Sequence, residues 1–237
     1  MKRNKLKLLP IVAIVASAAL TVTVAEGASS KPKLSFVKSR ATIQWTDAVG
    51  SSPGGGTSNA NAQSLRIVVT VTTSPTLAAG ASAYTYGANE TLVDLRGRHL
   101  GAIDHLGFDS KGYLGAGAPR ISLGTVDENN GNHQYFLSAY YCNSGEDTNG
   151  WRTSDFINGA SSYPCTVFRD NVQMTWAAAV ALADAAGEVV VSSPNDWFLN
   201  VDEGPSVTYI DRLSVQEWCW TGNGTSGIVN QNSGDCI

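Results

Sequence analysis

The sequence predicts an all-β fold: a two-sheet β-sandwich of jelly-roll type carrying one short packed helix. Three observations support that expectation. β-Branched and aromatic residues recur in short runs bounded by Gly, Pro, Asn, Asp and Ser clusters, the composition of strands and turns. One stretch, from about Val172 to Ala186, keeps apolar residues at helical spacing. No repeat of fixed period runs through the 237 residues, which disfavours a solenoid or propeller. Many short strands with one late helix suit two layers of sheet around one core.

Taken in order, the chain opens with Lys2, Arg3, Lys5 and Lys7. An apolar stretch from Leu8 to Leu20 follows, broken by Pro10 and Ser17, and then Thr23-Val24-Ala25. This is the layout of a secretory signal over residues 1–25, with the cut expected after Ala25 and Ala28 as the alternative. An uncleaved anchor is the competing reading, and the apolar run is short for a span of about 20 residues. The rest is expected to be secreted, in an oxidising compartment, with no membrane contact once the signal is removed.

Residues 26–41 form a polar leader with a first strand near Leu34 to Val37, and residues 42–216 form the sandwich domain. Its first strands are expected at Thr42–Thr46, Leu65–Thr72 and Ala83–Tyr86, with a Gly/Ser-rich loop from Val49 to Asn61 after the first. Leu100–Asp109, Arg120–Val126 and Gln134–Cys142 follow. The last two are joined by Asp127-Glu128-Asn129-Asn130-Gly131-Asn132, a hairpin loop of turn formers. In the helix, Met174, Ala178, Ala181, Leu182 and Ala185 share a face, and Gly187 stops it. Strands at Glu188–Ser192, Trp197–Val201 and Val207–Val215 close the domain. Residues 217–237 form a tail pinned by a disulfide.

The charge balance excludes some functions. There are 16 basic and 20 acidic residues, and removal of the signal takes four basic and no acidic ones, leaving 12 against 20, a net −8. Such a surface argues against nucleic acid and against anionic membranes. It suits calcium, neutral polysaccharide or simple solubility. Nothing in the sequence sets an oligomeric state.

The four cysteines, Cys142, Cys165, Cys219 and Cys236, read as two disulfides in an exported chain. Of three possible pairings, Cys142–Cys165 and Cys219–Cys236 are favoured, because each brackets a Gly/Asn/Ser-rich segment. Zinc is disfavoured: there is no CxxC, and His99, His105 and His133 are scattered.

Catalytic signatures are sparse. No GxSxG stands at an expected strand-to-helix elbow, and no closely spaced Glu/Asp pair sits on an expected strand. Asp104 and Asp109 differ by five and would face opposite sides of a regular strand. His133 reads as an exposed hairpin residue. The loops Asp127–Asn132 and Asn143–Asn149 offer oxygen ligands of the kind calcium prefers, but neither matches an EF-hand, and polar hairpins account for them. Asp211 is unusual, since Asp is depleted in strand interiors. Burial with a metal or an Arg partner would explain it, and so would exposure on a polar face.

Sugar binding needs flat aromatic faces beside polar groups. Tyr84 and Tyr86 share one strand face. Tyr140 and Tyr141 are adjacent, so one points out while the other packs. Trp151 lies in a polar loop with Asn149, Arg152 and Asp155, and is the leading candidate for an exposed ring. The competing reading places the strand tyrosines in the core. Asn89-Glu90-Thr91 and Asn223-Gly224-Thr225 match glycosylation sequons.

The closing pattern WFLNVDEGPSVTYIDRLSV, from Trp197 to Val215, resembles the terminal strands of jelly-roll carbohydrate-binding modules. GFDSKGYLGAGAPRISL, from Gly107 to Leu123, is similar to a stretch of uncharacterised secreted bacterial β-sandwich proteins. The first resemblance implies a structural calcium at Asp211. Those modules often carry a second acid beside that Asp, where this chain has Arg212. The expectation is a secreted, non-catalytic binding domain for carbohydrate or cell-wall glycan. Tyr84, Tyr86, Tyr140, Trp151 and Arg152 are its ligand residues; it needs no cofactor beyond a structural calcium. A structural or adhesive surface protein that binds another protein is the second class, and a secreted hydrolase the third.

Overall fold

A computed structural model describes residues 33–39, 41–47, 63–69, 80–86, 95–115, 117–191, 199–201, 205–216, 218–220 and 228–230. The first strands are β1 (Lys33–Ser39), β2 (Ala41–Asp47), β3 (Gln63–Val69), β4 (Gly80–Tyr86), β5 (Leu106–Gly112), β6 (Arg120–Val126) and β7 (Asn132–Ser138). Then come β8 (Trp151–Asp155), β9 (Val167–Arg169), β10 (Val172–Met174), α1 (Trp176–Ala185), β11 (Val189–Val191) and β12 (Leu199–Val201). The last are β13 (Ser206–Val215), β14 (Trp218–Trp220) and β15 (Ile228–Asn230).

These strands form two sheets, and every pairing within them is antiparallel. The first sheet runs β1-β4-β12-β6-β7-β9-β10, with β11 also on β6. The second runs β15-β14-β13-β3-β2, with β5 between β13 and β8. The fold is an all-β two-sheet sandwich. β1, β14 and β15 carry the sheets beyond residues 42–216 at both ends.

Alternation along the strands builds the core. β6 buries Ile121, Leu123 and Thr125 and leaves the residues between them half-exposed. β3 supplies Leu65, Ile67 and Val69, β7 supplies Tyr135 and Leu137, and β5 supplies Phe108, whose ring lies 5.7 Å from that of Phe156. Each such side chain taken out of water contributes about 1.5–3 kcal/mol.

Several elements differ from the sequence reading. Leu100–Asp109 is not one strand: Leu100–Ala102 is a 3-10 turn, and β5 begins at Leu106. Gln216 pins the stretch between them, its Oε1 accepting from Asp104 N at 2.8 Å and its Nε2 donating to Ala102 O at 2.9 Å. The helix begins at Trp176, because Val172–Met174 pairs with β9 across Asp170-Asn171. Both turn residues have positive φ, 48° and 67°, as a type I′ hairpin requires. Thr175 caps α1 by accepting from Ala178 N at 3.2 Å.

The end of α1 follows the expectation. Gly187 takes φ +64°, its N–H bonds to Asp184 O, and Glu188 N bonds to Ala183 O at 2.9 Å, the paired bonds of a Schellman motif. That stop carries Glu188 directly into the interior. Among the described residues, no helix is long and apolar enough to cross a membrane.

Candidate functional site

The side of the first sheet turned away from the core carries an aromatic band. Phe136 alternates with core residues Tyr135 and Leu137, so it lies on the outer face; its register partner on β9 is Phe168. The Tyr141 ring stands edge-on to Phe168 at 4.9 Å, and the Tyr140 ring edge-on to Tyr141 at 4.9 Å. At the other end the Arg120 guanidinium lies 5.5 Å over the Phe136 ring and donates to the Gly117 carbonyl. Tyr140 is 51% exposed, the most open aromatic among the described residues.

Local bonding holds this band in place. The chain turns at Tyr140-Tyr141, where Tyr141 N bonds to Ser138 O at 3.1 Å and Asn143 Nδ2 to Ala139 O at 2.7 Å. The Cys142–Cys165 disulfide ties that turn to the segment leading into β9, and Thr166 N donates to Tyr141 O at 3.1 Å. Tyr140 therefore points out while Tyr141 packs.

The register extends the face across the sheet. β12 pairs Asn200 with both Ser82 of β4 and Arg120 of β6. Two residues on, position 84 of β4 stands level with Ser122, which pairs with Phe136. Positions 84 and 86 thus share the backbone parity of the aromatic band.

Trp151 and Arg152 lie elsewhere, on β8 of the second sheet. The expectation of an exposed Trp151 ring is corrected: the side chain is fully buried. Asp147 closes the preceding loop tightly, its Oδ1 accepting from Trp151 N at 2.8 Å and its own N–H donating to Trp151 O at 2.8 Å, and Trp151 pairs with Lys111. Arg152 is paired with Glu146.

A buried polar cluster sits on the other side of β7, at the end of the first sheet. Glu188 is 0% exposed. Its Oε2 accepts from Thr125 Oγ1 at 2.6 Å and Tyr135 OH at 2.8 Å, and its Oε1 from Arg169 Nη2 at 2.5 Å and Nε at 3.1 Å. Burial disfavours the charge, yet these donors together hold the carboxyl below its usual range. Burial, aided by the hydrogen bond to Glu188, pushes the Tyr135 phenol well up.

His133, expected as an exposed hairpin residue, is drawn into the rim of this cluster. Its Nδ1 lies 2.7 Å from Asp170 Oδ2, and its Nε2 lies 3.4 Å from Asp127 Oδ2 and 3.9 Å from Glu188 Oε1. The hydrogen bond to Asp170 raises its pKa; burial opposes the rise, and Asp127 and Glu188 add to it. Facing Asp170, Asp127 and Glu188, with Arg169 opposing its charge, His133 works as a charge tie between hairpin loops.

Asp211 is buried, and its Oδ1 accepts from the backbone N of Arg212 at 2.8 Å. Arg212 turns to Asp109, donating from Nε at 2.7 Å and from Nη2 at 2.9 Å, while Thr153 Oγ1 donates to the same carboxylate at 2.8 Å. The β13 register shifts between Asp211 and Ser214, and Arg212 takes φ +45° in that bulge. Among the described residues, no group of three His, Cys, Asp or Glu gathers as a metal site.

The Cys142–Cys165 pairing is the one expected. The Cys219 side chain and Cys236 lie outside the described residues, as do the side chains of Tyr84 and Tyr86 and both sequons.

No family model, curated protein or solved structure matches the chain. The site is therefore read from its own geometry. Tyr140 and the positions of Tyr84 and Tyr86 fall on one face; Trp151 and Arg152 do not. Sequence reasoning missed Phe136 and Phe168. Asp170-Asn171, a two-residue turn signal, would have put Phe168 on a strand.

Proposed function

We propose that this protein is a secreted, non-catalytic binding domain for carbohydrate or cell-wall glycan, and that its ligand lies on the outer face of the first sheet. The observation that supports this reading is the band Phe136–Phe168–Tyr141–Tyr140 with its half-exposed end. Sugar rings present apolar C–H faces that stack on aromatic rings, while their hydroxyls need polar partners. Both are at hand: Gln173, an exposed amide, is the register partner of Phe168, and Ser122 is that of Phe136. The Cys142–Cys165 bridge suits an exported chain.

The test is a glycan array and an insoluble-polysaccharide pull-down, run with calcium and with chelator. Retention is expected, and Tyr140→Ala is expected to weaken it about tenfold while far-UV circular dichroism stays unchanged. A folded protein retained by no glycan under either condition refutes the reading.

A further inference from the structure

The outer face of the first sheet is chemically different from the rest of this acidic chain. Among the described residues of β6, β7, β9, β10 and β12, no strand position on that face carries a carboxylate. Amides, hydroxyls and aromatic rings occupy its middle, and Val126 with its β11 partner Val189 makes one end aliphatic. Two cations stand at its described strand positions: Arg120, engaged over Phe136 and with the Gly117 carbonyl, and Lys33, at the far edge opposite position 86.

The aromatic positions also have a direction. Ser122, Phe136, Phe168 and Gln173 are successive register partners on β6, β7, β9 and β10, so they form one row perpendicular to the strands. Neighbouring strands lie about 4.8 Å apart, which makes the row roughly 14 Å long.

On the glycan-binding reading, we infer that the ligand is an uncharged, linear polysaccharide running across the strands along this row, bound mid-chain and not at one terminal sugar. The row itself carries no charged residue, and the arginine beside it is engaged, so it offers little to attract an ionic ligand, and recognition comes from stacking and from amide and hydroxyl hydrogen bonds. An extended row of partners is filled by an extended chain and only partly by a monosaccharide.

The experiment is calorimetric titration of the full chain with neutral gluco-, xylo- and manno-oligosaccharides of increasing length from the monosaccharide upward. Heparin and polygalacturonate serve as anionic comparators, at low salt and at roughly 1 M NaCl. Affinity is expected to rise at least about tenfold from the disaccharide to oligomers that span about 14 Å, and to change less than about twofold with salt. Gln173→Ala, at the exposed end of the row, is expected to weaken the longest oligomers and leave the shortest unaffected.

Monosaccharides that bind as well as oligomers, or binding confined to the anionic polymers and lost in salt, would overturn this inference while leaving glycan binding intact. Binding to none of these glycans would overturn both.

Discussion

The least replaceable side chains are those that leave a charge behind when their partner is removed. Glu188 is buried, with Arg169 as its cationic partner at 2.5 Å. Arg169→Ala leaves that carboxylate to the Thr125 and Tyr135 hydroxyls and to His133, 3.9 Å away at the rim. Breaking a buried pair on one side typically costs about 3–5 kcal/mol, whereas replacing both members with apolar groups of similar volume can be nearly neutral. Urea unfolding should therefore show Arg169→Ala to be more destabilised than the double variant Arg169→Met/Glu188→Leu. The reverse order would mean that Glu188 reaches water without its partner. Little of this was legible in the sequence, because a lone Glu after a helix stop looks like a surface residue. What buries it is the Schellman turn at Gly187, whose own signal was plain, combined with a sheet register that no local pattern encodes.

At the scale of elements, legibility followed the strength of the local signal. β6 was found with its exact limits because its alternation is clean. β8, β9 and β10, five, three and three residues long, were missed, whereas β11, also three residues long, stood out as a run of three valines. β10 was absorbed into the helix because Met174 happens to continue the helical spacing. The aromatic band takes Phe168 from β9, and its row ends at Gln173 on β10, so that end of the candidate site was hidden with them. A covalent bond compensates for their brevity. The Cys142–Cys165 bridge spans a sequence separation of 23 residues, a loop whose closure in the unfolded chain is worth about 3 kcal/mol in the entropy model. Cys142→Ser/Cys165→Ser should lose stability of about that size in denaturant titration. A loss well below 1 kcal/mol would place the stability of this region in the Tyr141–Phe168 contact and the Thr166–Tyr141 bond.

For the whole molecule, the cluster at the end of the first sheet predicts the shape of the pH profile. His133 titrates above its ordinary 6.5, so its contribution is complete below that pH and is lost as pH rises through the raised value. Asp127 and Asp170 titrate below their ordinary 3.8, and Glu188 below its ordinary 4.5; their contributions are complete above those values and are lost as pH falls. Thermal stability should peak between about pH 4.5 and 6.5 and decline on both sides. His133→Asn should flatten the alkaline limb above pH 6.5 and reduce the share of the acid limb that Asp127 and Asp170 supply, leaving that of Glu188 in place. An alkaline limb unchanged in that variant would assign the loss to other groups.

The bulge at Arg212 bears on how the second sheet finds its alignment. β13 is the longest strand described, and it holds β3, β5 and β14 together. A strand that slides by one residue sends every side chain to the opposite face. Here such a slide would also separate the Asp109 carboxylate from the one guanidinium that neutralises it, deep in the sheet. The pair thus counts residues: it makes each near-miss alignment of β13 electrically intolerable, and the correct one stands alone.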